Sequence, residues 1–246
     1  MPLSQLQEKI AAIKEKLGKA GSVTVLTGSG LSADSGIPTF RGAEGLWKNF
    51  RAEELATPEA FSKDPRLVWE WYDWRRAIIA AKEPNAGHYM IAELEKMFSR
   101  FHLITQNVDG LHEKAGSTNP IELHGNIWKV RCTRCLQVAF NFDVPVRIPP
   151  ECRSCGGLLR PHIVWFGESL EPENLEKSYA ALANSDLMFV IGTSGVVQPA
   201  ASFAGMARSR GAFVVEINPE ETAITEVMDI SLQGKAGEIL PLLVHS

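Results

Sequence analysis

Four cysteines, arranged as two CxxC pairs, constrain the fold of this chain more than any other feature. Cys132 and Cys135 form the first pair, Cys152 and Cys155 form the second, and residues 136–151 separate them. This spacing is typical of a zinc ribbon, in which two thiolate knuckles close one tetrahedral metal site. Because four thiolates leave no open coordination position, such a metal holds structure, and the chemistry must be sought elsewhere.

Composition excludes several classes of partner. The chain has 246 residues, of which 45% are hydrophobic, and its 25 basic and 29 acidic residues are well mixed, giving a net charge of -4. A core is therefore available, and no basic surface for nucleic acid or an anionic membrane is expected. The first residues lack the apolar core of a signal peptide, and paired reduced thiolates suit a reducing compartment. We predict a cytoplasmic protein with neither nucleic acid nor membrane as a direct partner.

Short apolar runs alternate with helical patterns along most of the chain. The predicted strands are Val23 to Thr27, His102 to Thr105, Ile121 to Leu123, Leu187 to Ile191 and Phe213 to Ile217. This alternation predicts an α/β fold with a parallel, doubly wound sheet. An aromatic-rich helical stretch and the cysteine module interrupt the pattern, and we interpret both as insertions that form a smaller lobe.

A glycine-rich loop follows the first predicted strand. Gly28, Ser29 and Gly30, with Ala33 at the third small position, match the G/A form of a dinucleotide-binding fingerprint. An ordinary glycine turn is the alternative. The acidic residue that usually ends a second strand about twenty residues later is missing, because Glu53 and Glu54 fall in a helical stretch. A hydride-transferring dehydrogenase therefore fits poorly.

Two later strands also end in small or polar residues. One runs into Gly192, Thr193 and Ser194, and the other runs into Asn218. The carboxyl ends of parallel strands are where such sheets bind ligands, and hydroxyl and amide groups suit ribose and phosphate oxygens. The alternative is that Thr193 or Ser194 caps a helix.

Polar side chains converge from two further strand ends. Gln106, Asn107 and Asp109 follow one strand, and His124, succeeded by a glycine, follows the next. Histidine is the side chain best suited to accept a proton from a hydroxyl near pH 7. We predict that His124 is functional, whereas His112 is expected to cap or pack a helix.

Together, six motifs closely resemble the sirtuins, the NAD-dependent protein lysine deacylases. They are GSGLSADSGIPTFRG, ITQNVDGLHEKAG, ELHGN, the two CxxC pairs, RPHIVWFGE and GTSGVVQPAA, in family order from Val23 to the GKAGE segment. The resemblance implies a Rossmann-like NAD-binding domain and a small domain containing a structural zinc ion, with NAD as a consumed co-substrate. It assigns residues 1–42, 98–125 and 161–246 to the first, and a helical insertion, 43–97, and a zinc-ribbon module, 126–160, to the second.

The resemblance also implies roles for individual residues. The loop closing over NAD contains Gly28, Ser29, Gly30, Phe40 and Arg41, with Ser29 replacing the usual alanine. The nicotinamide pocket is expected to contain Gln106, Asn107 and Asp109. The adenosine side is expected to contain Gly192, Thr193, Ser194 and Asn218. By the same resemblance His124 is the general base, and the acyl-lysine tunnel is bordered by Val164, Phe166 and Gly167, with Glu168 assisting that edge.

Tyr72 and Arg75 bear on which acyl group is removed. They stand three residues apart in a predicted helix and so share a face. A phenol and a guanidinium suit a carboxylate at the end of a short chain, although Arg75 stacking on Trp71 or Trp74 is the alternative. The pair resembles the sirtuin branch that removes succinyl, malonyl and glutaryl groups, in which deacetylation is expected to persist.

Three other functions stay open on the sequence alone. A dehydrogenase could use the same glycine loop, and a non-catalytic module could bind NAD or ADP-ribose. A slow ADP-ribosyl transferase activity is a further alternative.

Overall fold

The fold is described from a computed structural model, which covers residues 3–38 and 51–244. Phe40 and Arg41 lie outside these residues. The described residues contain nine strands: β1 (Val23–Thr27), β2 (Phe101–Thr105), β3 (Ile121–Glu122), β4 (Gly125–Cys132), β5 (Val138–Phe140), β6 (Leu159–Ile163), β7 (Leu187–Ile191), β8 (Phe213–Asn218) and β9 (Ile230–Gln233).

Ten α-helices accompany these strands in the described part of the chain: α1 (Leu3–Lys19), α2 (Ser29–Ala33), α3 (Ala52–Leu55), α4 (Pro58–Lys63), α5 (Pro65–Ala80), α6 (Ala86–Met97), α7 (Leu111–Lys114), α8 (Pro172–Ala183), α9 (Ala200–Ser209) and α10 (Ala236–Val244). A short 3₁₀ helix spans Thr225–Val227. Within residues 3–38 and 51–244, no helix combines the length and apolar character needed to cross a lipid bilayer.

Six strands form one parallel sheet in the order β3-β2-β1-β7-β8-β9. This confirms the predicted α/β fold. The chain proceeds outward from β1 to β3 on one side and from β7 to β9 on the other, so the strand order reverses between β1 and β7. In open parallel sheets, ligands bind at the carboxyl ends of the strands flanking such a reversal.

Both faces of this sheet are covered by helices. On one face Val25 of β1 and Phe189 of β7 pack with residues of α1, α6 and α10. On the other, Leu26 and Val190 pack with residues of α8 and α9. Because both faces are buried, the central strands have continuous apolar sequences, and β1 and β7 lie at the predicted residues.

The three remaining strands form a small antiparallel sheet in the order β5-β4-β6. Its inner side packs against the aromatic helix α5, whose Trp69, Trp71 and Tyr72 share a core with Ile127 and Trp165. The sheet extends slightly beyond residues 126–160, because β4 begins at Gly125 and β6 ends at Ile163. β4 therefore starts directly after His124 and joins the two sheets.

Candidate active site

The glycines after β1 allow two loops to meet where the strand order reverses. The N–H of Gly30 donates to the Gly192 carbonyl at 2.8 Å, and the N–H of Gly28 donates to that of Ile191 at 3.0 Å. A Cβ atom on Gly28 or Gly30 would lie 2.8 Å from the Gly192 oxygen, closer than a carbon can approach. Contact between the loops after β1 and β7 therefore requires these glycines.

Ser29 occupies the first position of α2, and its side chain is exposed. A hydroxyl in place of the alanine expected from the resemblance therefore causes no crowding in the protein interior. The N–H groups of the first turn of a helix favour anionic groups, which makes this loop chemically suited to phosphate oxygens.

Thr193 connects the loop after β7 to the loop after β2. The Gln106 amide Nε2 donates to Thr193 Oγ1 at 2.9 Å. The next helix, α9, begins only at Ala200 and has Pro199 at its N-cap. Helix capping by Thr193 or Ser194, the alternative considered above, is therefore wrong. Asn218 lies at the end of β8, where its amide donates to the Glu220 carbonyl at 2.8 Å.

A hydrogen-bond network fixes Asn107 and Asp109 against the loop after β1. Asn107 Nδ2 donates to the Gly28 carbonyl and to Ser32 Oγ, both at 3.1 Å. The Ser32 hydroxyl donates to Asp109 Oδ2 at 2.8 Å, and the Leu111 N–H donates to the other carboxylate oxygen at 2.9 Å. Burial raises the pKa of Asp109, although both hydrogen bonds oppose this shift. Ser32 was missed in the sequence, and its signal is a hydroxyl one helical turn after Gly28.

Two buried histidines contact hydroxyl groups in and next to this network. His88 Nε2 lies 3.4 Å from Ser32 Oγ, His112 Nε2 lies 2.9 Å from Thr27 Oγ1, and the rings are 5.1 Å apart. Burial lowers the pKa of His88 to about 4. Burial, with His88 adding a smaller effect, lowers the pKa of His112 to about 3. Both rings are therefore neutral near pH 7. His112 is a buried residue of α7, in agreement with the prediction that it packs a helix.

His124 is held at the junction of the two sheets. Its Nδ1 lies 3.0 Å from the Gln106 carbonyl oxygen, and because a carbonyl only accepts, Nδ1 carries the proton. Nε2 is consequently the basic atom. Burial lowers the pKa of His124 and the Gln106 hydrogen bond partly offsets this, so the ring is neutral near pH 7. The following Gly125 has φ +81°, and any Cβ there would overlap the His162 carbonyl oxygen.

The segment after β6 lies directly beside His124. The Val164 N–H donates to the His124 carbonyl at 3.0 Å, and the Phe166 N–H donates to the Ala56 carbonyl at 2.9 Å. The side chain of Phe166 is exposed, and Gly167 has φ +86°. Glu168 closes the segment through a forked pair with Arg160, at 2.6 and 2.8 Å. Burial alone would raise the pKa of Glu168, but the hydrogen bonds from Arg160 and the Trp165 N–H lower it below its ordinary value.

Tyr72 and Arg75 lie on α5, on the side of the small sheet. Their exposed fractions are only 2% and 6%. Arg75 Cζ lies 5.5 Å from the centre of the Trp71 ring, so the stacking alternative is present as a contact. Burial lowers the pKa of Arg75, whereas the nearby Tyr72 and Asp109 raise it. The charge of Arg75 therefore interacts with both Tyr72 and the Asp109 carboxylate.

The four cysteine sulfur atoms meet at one point of the small sheet. All four Sγ atoms lie within 4.8 Å of one another, with Cys132 and Cys155 at 3.5 Å and Cys135 and Cys152 at 3.8 Å. With Zn–S bonds of about 2.3 Å, the edge of a sulfur tetrahedron is about 3.8 Å. The N–H groups of Arg134 and Cys135 point at Cys132 Sγ, at 3.4 and 3.5 Å, as in a thiolate knuckle. The donor set thus fits structural Zn²⁺. The four cysteines would fill its coordination shell and leave no position for water or substrate.

Comparisons with known proteins agree with this geometry. The model of the Sir2 family matches residues 28–199, from the first loop glycine to the segment after β7. The chain belongs to the Sir2 family. A relative from Aquifex aeolicus (strain VF5), named NAD-dependent protein deacylase, is 55% identical to this Sir2 chain over 216 residues, which cover 87% of this chain and 90% of the relative. One from Pyrobaculum aerophilum, named NAD-dependent protein deacylase 2, is 53% identical over 234 residues, covering 95% and 94%.

Solved structures give the same result. A crystal structure of a Sir2 homologue in complex with NAD superposes with a TM-score of 0.90 and 48% identity, covering 95% of this Sir2 chain and 92% of the other. A mutant Sir2 homologue in complex with 2′-O-acetyl ADP ribose superposes with a TM-score of 0.88 and 47% identity, covering 99% and 95%. The fold of the whole described chain is therefore that of the Sir2 family.

Proposed function

We propose that this chain is an NAD-dependent protein lysine deacylase in which His124 is the general base. The single observation that carries the proposal is the position of His124. Its Nδ1–H is anchored to Gln106 on the side of the glycine loop, and its carbonyl is bonded to Val164 on the side of the small sheet. Within residues 3–38 and 51–244 no hydrogen bond to His124 Nε2 is seen. The basic nitrogen thus lies between two sets of groups suited to different substrates.

The nucleotide would bind over the loops after β1, β2 and β7. The donor set matches NAD: helix N–H groups near Ser29 suit phosphates, and the amides of Gln106 and Asn107 and the hydroxyl of Thr193 suit ribose and nicotinamide. The names of the relatives and the NAD and acetyl ADP-ribose complexes of structural neighbours support this placement. The assignment of Ser194 and Asn218 to the adenosine side belongs to the same proposal.

The reaction that the resemblance to the sirtuins implies uses a neutral imidazole beside the ribose of NAD, which His124 would provide. The acyl oxygen of the modified lysine attacks the ribose carbon as nicotinamide leaves. His124 Nε2 then takes a proton from a ribose hydroxyl, and that oxygen attacks the bound acyl carbon. Water completes the release of free lysine, so the products are nicotinamide, lysine and an O-acyl-ADP-ribose. Phe166 and Gly167, at the exposed edge after β6, would contact the peptide backbone of the protein substrate.

We further propose that succinyl and malonyl groups are removed as well as acetyl. Arg75 is buried beside the Tyr72 phenol, and burial of a guanidinium is offset by a carboxylate that takes its parallel N–H groups. The Asp109 carboxylate already interacts with the charge of Arg75, and the terminal carboxylate of a dicarboxylic acyl chain would be a further acceptor for the same guanidinium. Malonyl and succinyl end in such a carboxylate, whereas acetyl does not.

A cytoplasmic location is part of the same proposal, because the four thiols suit a reducing compartment. The division of the chain into residues 1–42, 98–125 and 161–246 on one side and 43–97 and 126–160 on the other also stays a proposal.

Incubation of the protein with NAD and acetyl, succinyl and long-acyl lysine peptides tests the function. NAD-dependent loss of the acyl group with release of nicotinamide is expected, and formation of reduced cofactor would instead indicate a dehydrogenase.

Arg75→Met should lower kcat/KM for a succinyl-lysine peptide by roughly 10- to 100-fold and leave the acetyl-lysine peptide nearly unaffected. The magnitude corresponds to a lost charge-assisted pair of about 1.5 to 3 kcal/mol. Steady-state kinetics on both peptides with the same protein sample provide the measurement. Equal losses on the two peptides would reject a carboxylate-binding role.

The adjacent Arg76 offers a matched control. It is also buried on α5, but its guanidinium donates to the Ile127 carbonyl and to Asn141 Oδ1. Arg76→Met therefore removes a buried guanidinium that serves only the fold, and its effect should be equal on both peptides.

A further inference from the structure

A buried hydrogen bond joins the segment beside His124 to the phenol of Tyr72. Trp165 Nε1 lies 2.8 Å from Tyr72 Oη, although the two residues are 93 positions apart in the chain. Each side chain is only 2% exposed. Trp165 was not among the residues predicted to be functional from the sequence.

The direction of this hydrogen bond is fixed by chemistry. An indole N–H can only donate, so the phenol oxygen of Tyr72 must accept. With the indole N–H taking one acceptor site of the oxygen, the hydroxyl proton of Tyr72 points to another partner. A carboxylate is an acceptor-only group and matches a phenol held in this way.

The indole itself is clamped on several sides. The Arg160 guanidinium lies 3.4 Å from the centre of the Trp165 ring and forms the forked pair with Glu168. The same carboxylate accepts from the Trp165 backbone N–H at 2.9 Å, and the Phe61 ring lies 5.2 Å away. Trp165 therefore has little freedom to rotate. Its indole N–H is held in a fixed direction and so fixes the position of the Tyr72 hydroxyl that accepts from it.

We propose that Trp165 is a positioning residue for acyl specificity: its indole N–H orients the Tyr72 hydroxyl as a donor toward the terminal carboxylate of the acyl group. This inference rests on the proposed removal of acidic acyl groups. It also links that specificity to catalysis, because the preceding residue, Val164, bonds to the carbonyl of His124.

The test compares Trp165→Phe with a control that makes the same chemical change. Trp69 is also buried, and its indole N–H donates at 2.8 Å to the Leu159 carbonyl rather than to Tyr72. Both variants are measured on acetyl and succinyl peptides, alone and in the Tyr72→Phe background. Thermal melting checks that the variants are folded.

Trp165→Phe is expected to raise KM for the succinyl peptide by about 3- to 10-fold, as for one lost hydrogen bond, with kcat and the acetyl KM changed by less than about twofold. In the Tyr72→Phe background the same substitution should have no further effect on the succinyl KM. Trp69→Phe should not distinguish the two peptides in either background.

Three results would overturn the inference. The first is a Trp165→Phe effect equal on both peptides, and the second is a succinyl effect that persists undiminished without the Tyr72 hydroxyl. In either case a selective loss in Arg75→Met would leave the proposed acyl preference standing. The third is an equal Arg75→Met loss on both peptides or no succinyl turnover by the native protein, which rejects the acyl preference and the role of Trp165 with it.

Discussion

Replacing His124 with alanine should lower the rate of lysine deacylation by about 10²- to 10⁴-fold, the range over which a positioned general base contributes to catalysis. The substitution removes the only imidazole that lies between the glycine loop and the Val164 segment among the described residues. It should leave the fold nearly intact, since His124 is half-buried and its side chain forms one hydrogen bond to Gln106, worth about 0.5 to 1.5 kcal/mol.

The measurement is the rate of free lysine formation at saturating NAD and peptide. Exchange of labelled nicotinamide provides a second reading, because departure of nicotinamide precedes the proton transfer and does not need the base. His124→Ala should therefore lose much less of its rate of nicotinamide exchange than of its rate of deacylation. His102→Ala is the matched control, as His102 is half-buried in β2 near the amino end of that strand, opposite the site. Deacylation by His124→Ala at more than a tenth of the native rate would remove His124 as the base.

Removal of the metal should unfold the small antiparallel sheet and abolish activity. Cys132 ends β4 and Cys152 lies in the loop before β6, so the thiolates join the two long strands of that sheet at one end. For structural zinc sites, binding free energies of about 10 kcal/mol or more contribute directly to folding. The other ends of the same strands hold His124 and Val164, whose mutual hydrogen bond would be lost with the pairing.

Metal analysis of the native protein should find one zinc per chain, and Cys152→Ser should lose it. Limited proteolysis should then cut within residues 126–160, while the parallel sheet resists. Ser154→Ala, in the same knuckle but with no thiolate removed, is the control and should retain both zinc and activity. A chelated, zinc-free protein with native protease resistance and full turnover would contradict a structural role for the metal.

The parallel sheet was predictable from sequence because its central strands are buried on both faces. β1 and β7 are uninterrupted apolar runs, and their bounds are those expected from the pattern. β4 was missed because Lys129 and Arg131 alternate with its buried residues and only one side is covered. β9 was missed because it is short and only Leu232 in it is buried.

The site was predictable from sequence only where strand topology places its residues. Parallel topology brings the carboxyl ends of strands together, so Asn107, Asp109 and His124 could be grouped from their positions after predicted strands. Side-chain contacts between segments far apart in the chain depend on packing that no local pattern encodes. The hydrogen bond from Trp165 to Tyr72 and the support of Ser32 by His88 are two such contacts.

The proposed function requires that one NAD is consumed for each acyl group removed, in a reaction whose general base, His124, lies between the two substrates. Its most direct test is the stoichiometry of one reaction containing the native protein, NAD and an acyl-lysine peptide, followed by mass spectrometry. One nicotinamide and one O-acyl-ADP-ribose should form for each lysine freed, and none of the three in the absence of peptide. Lysine release without NAD cleavage, or NAD cleavage that does not depend on the acylated peptide, would contradict the account.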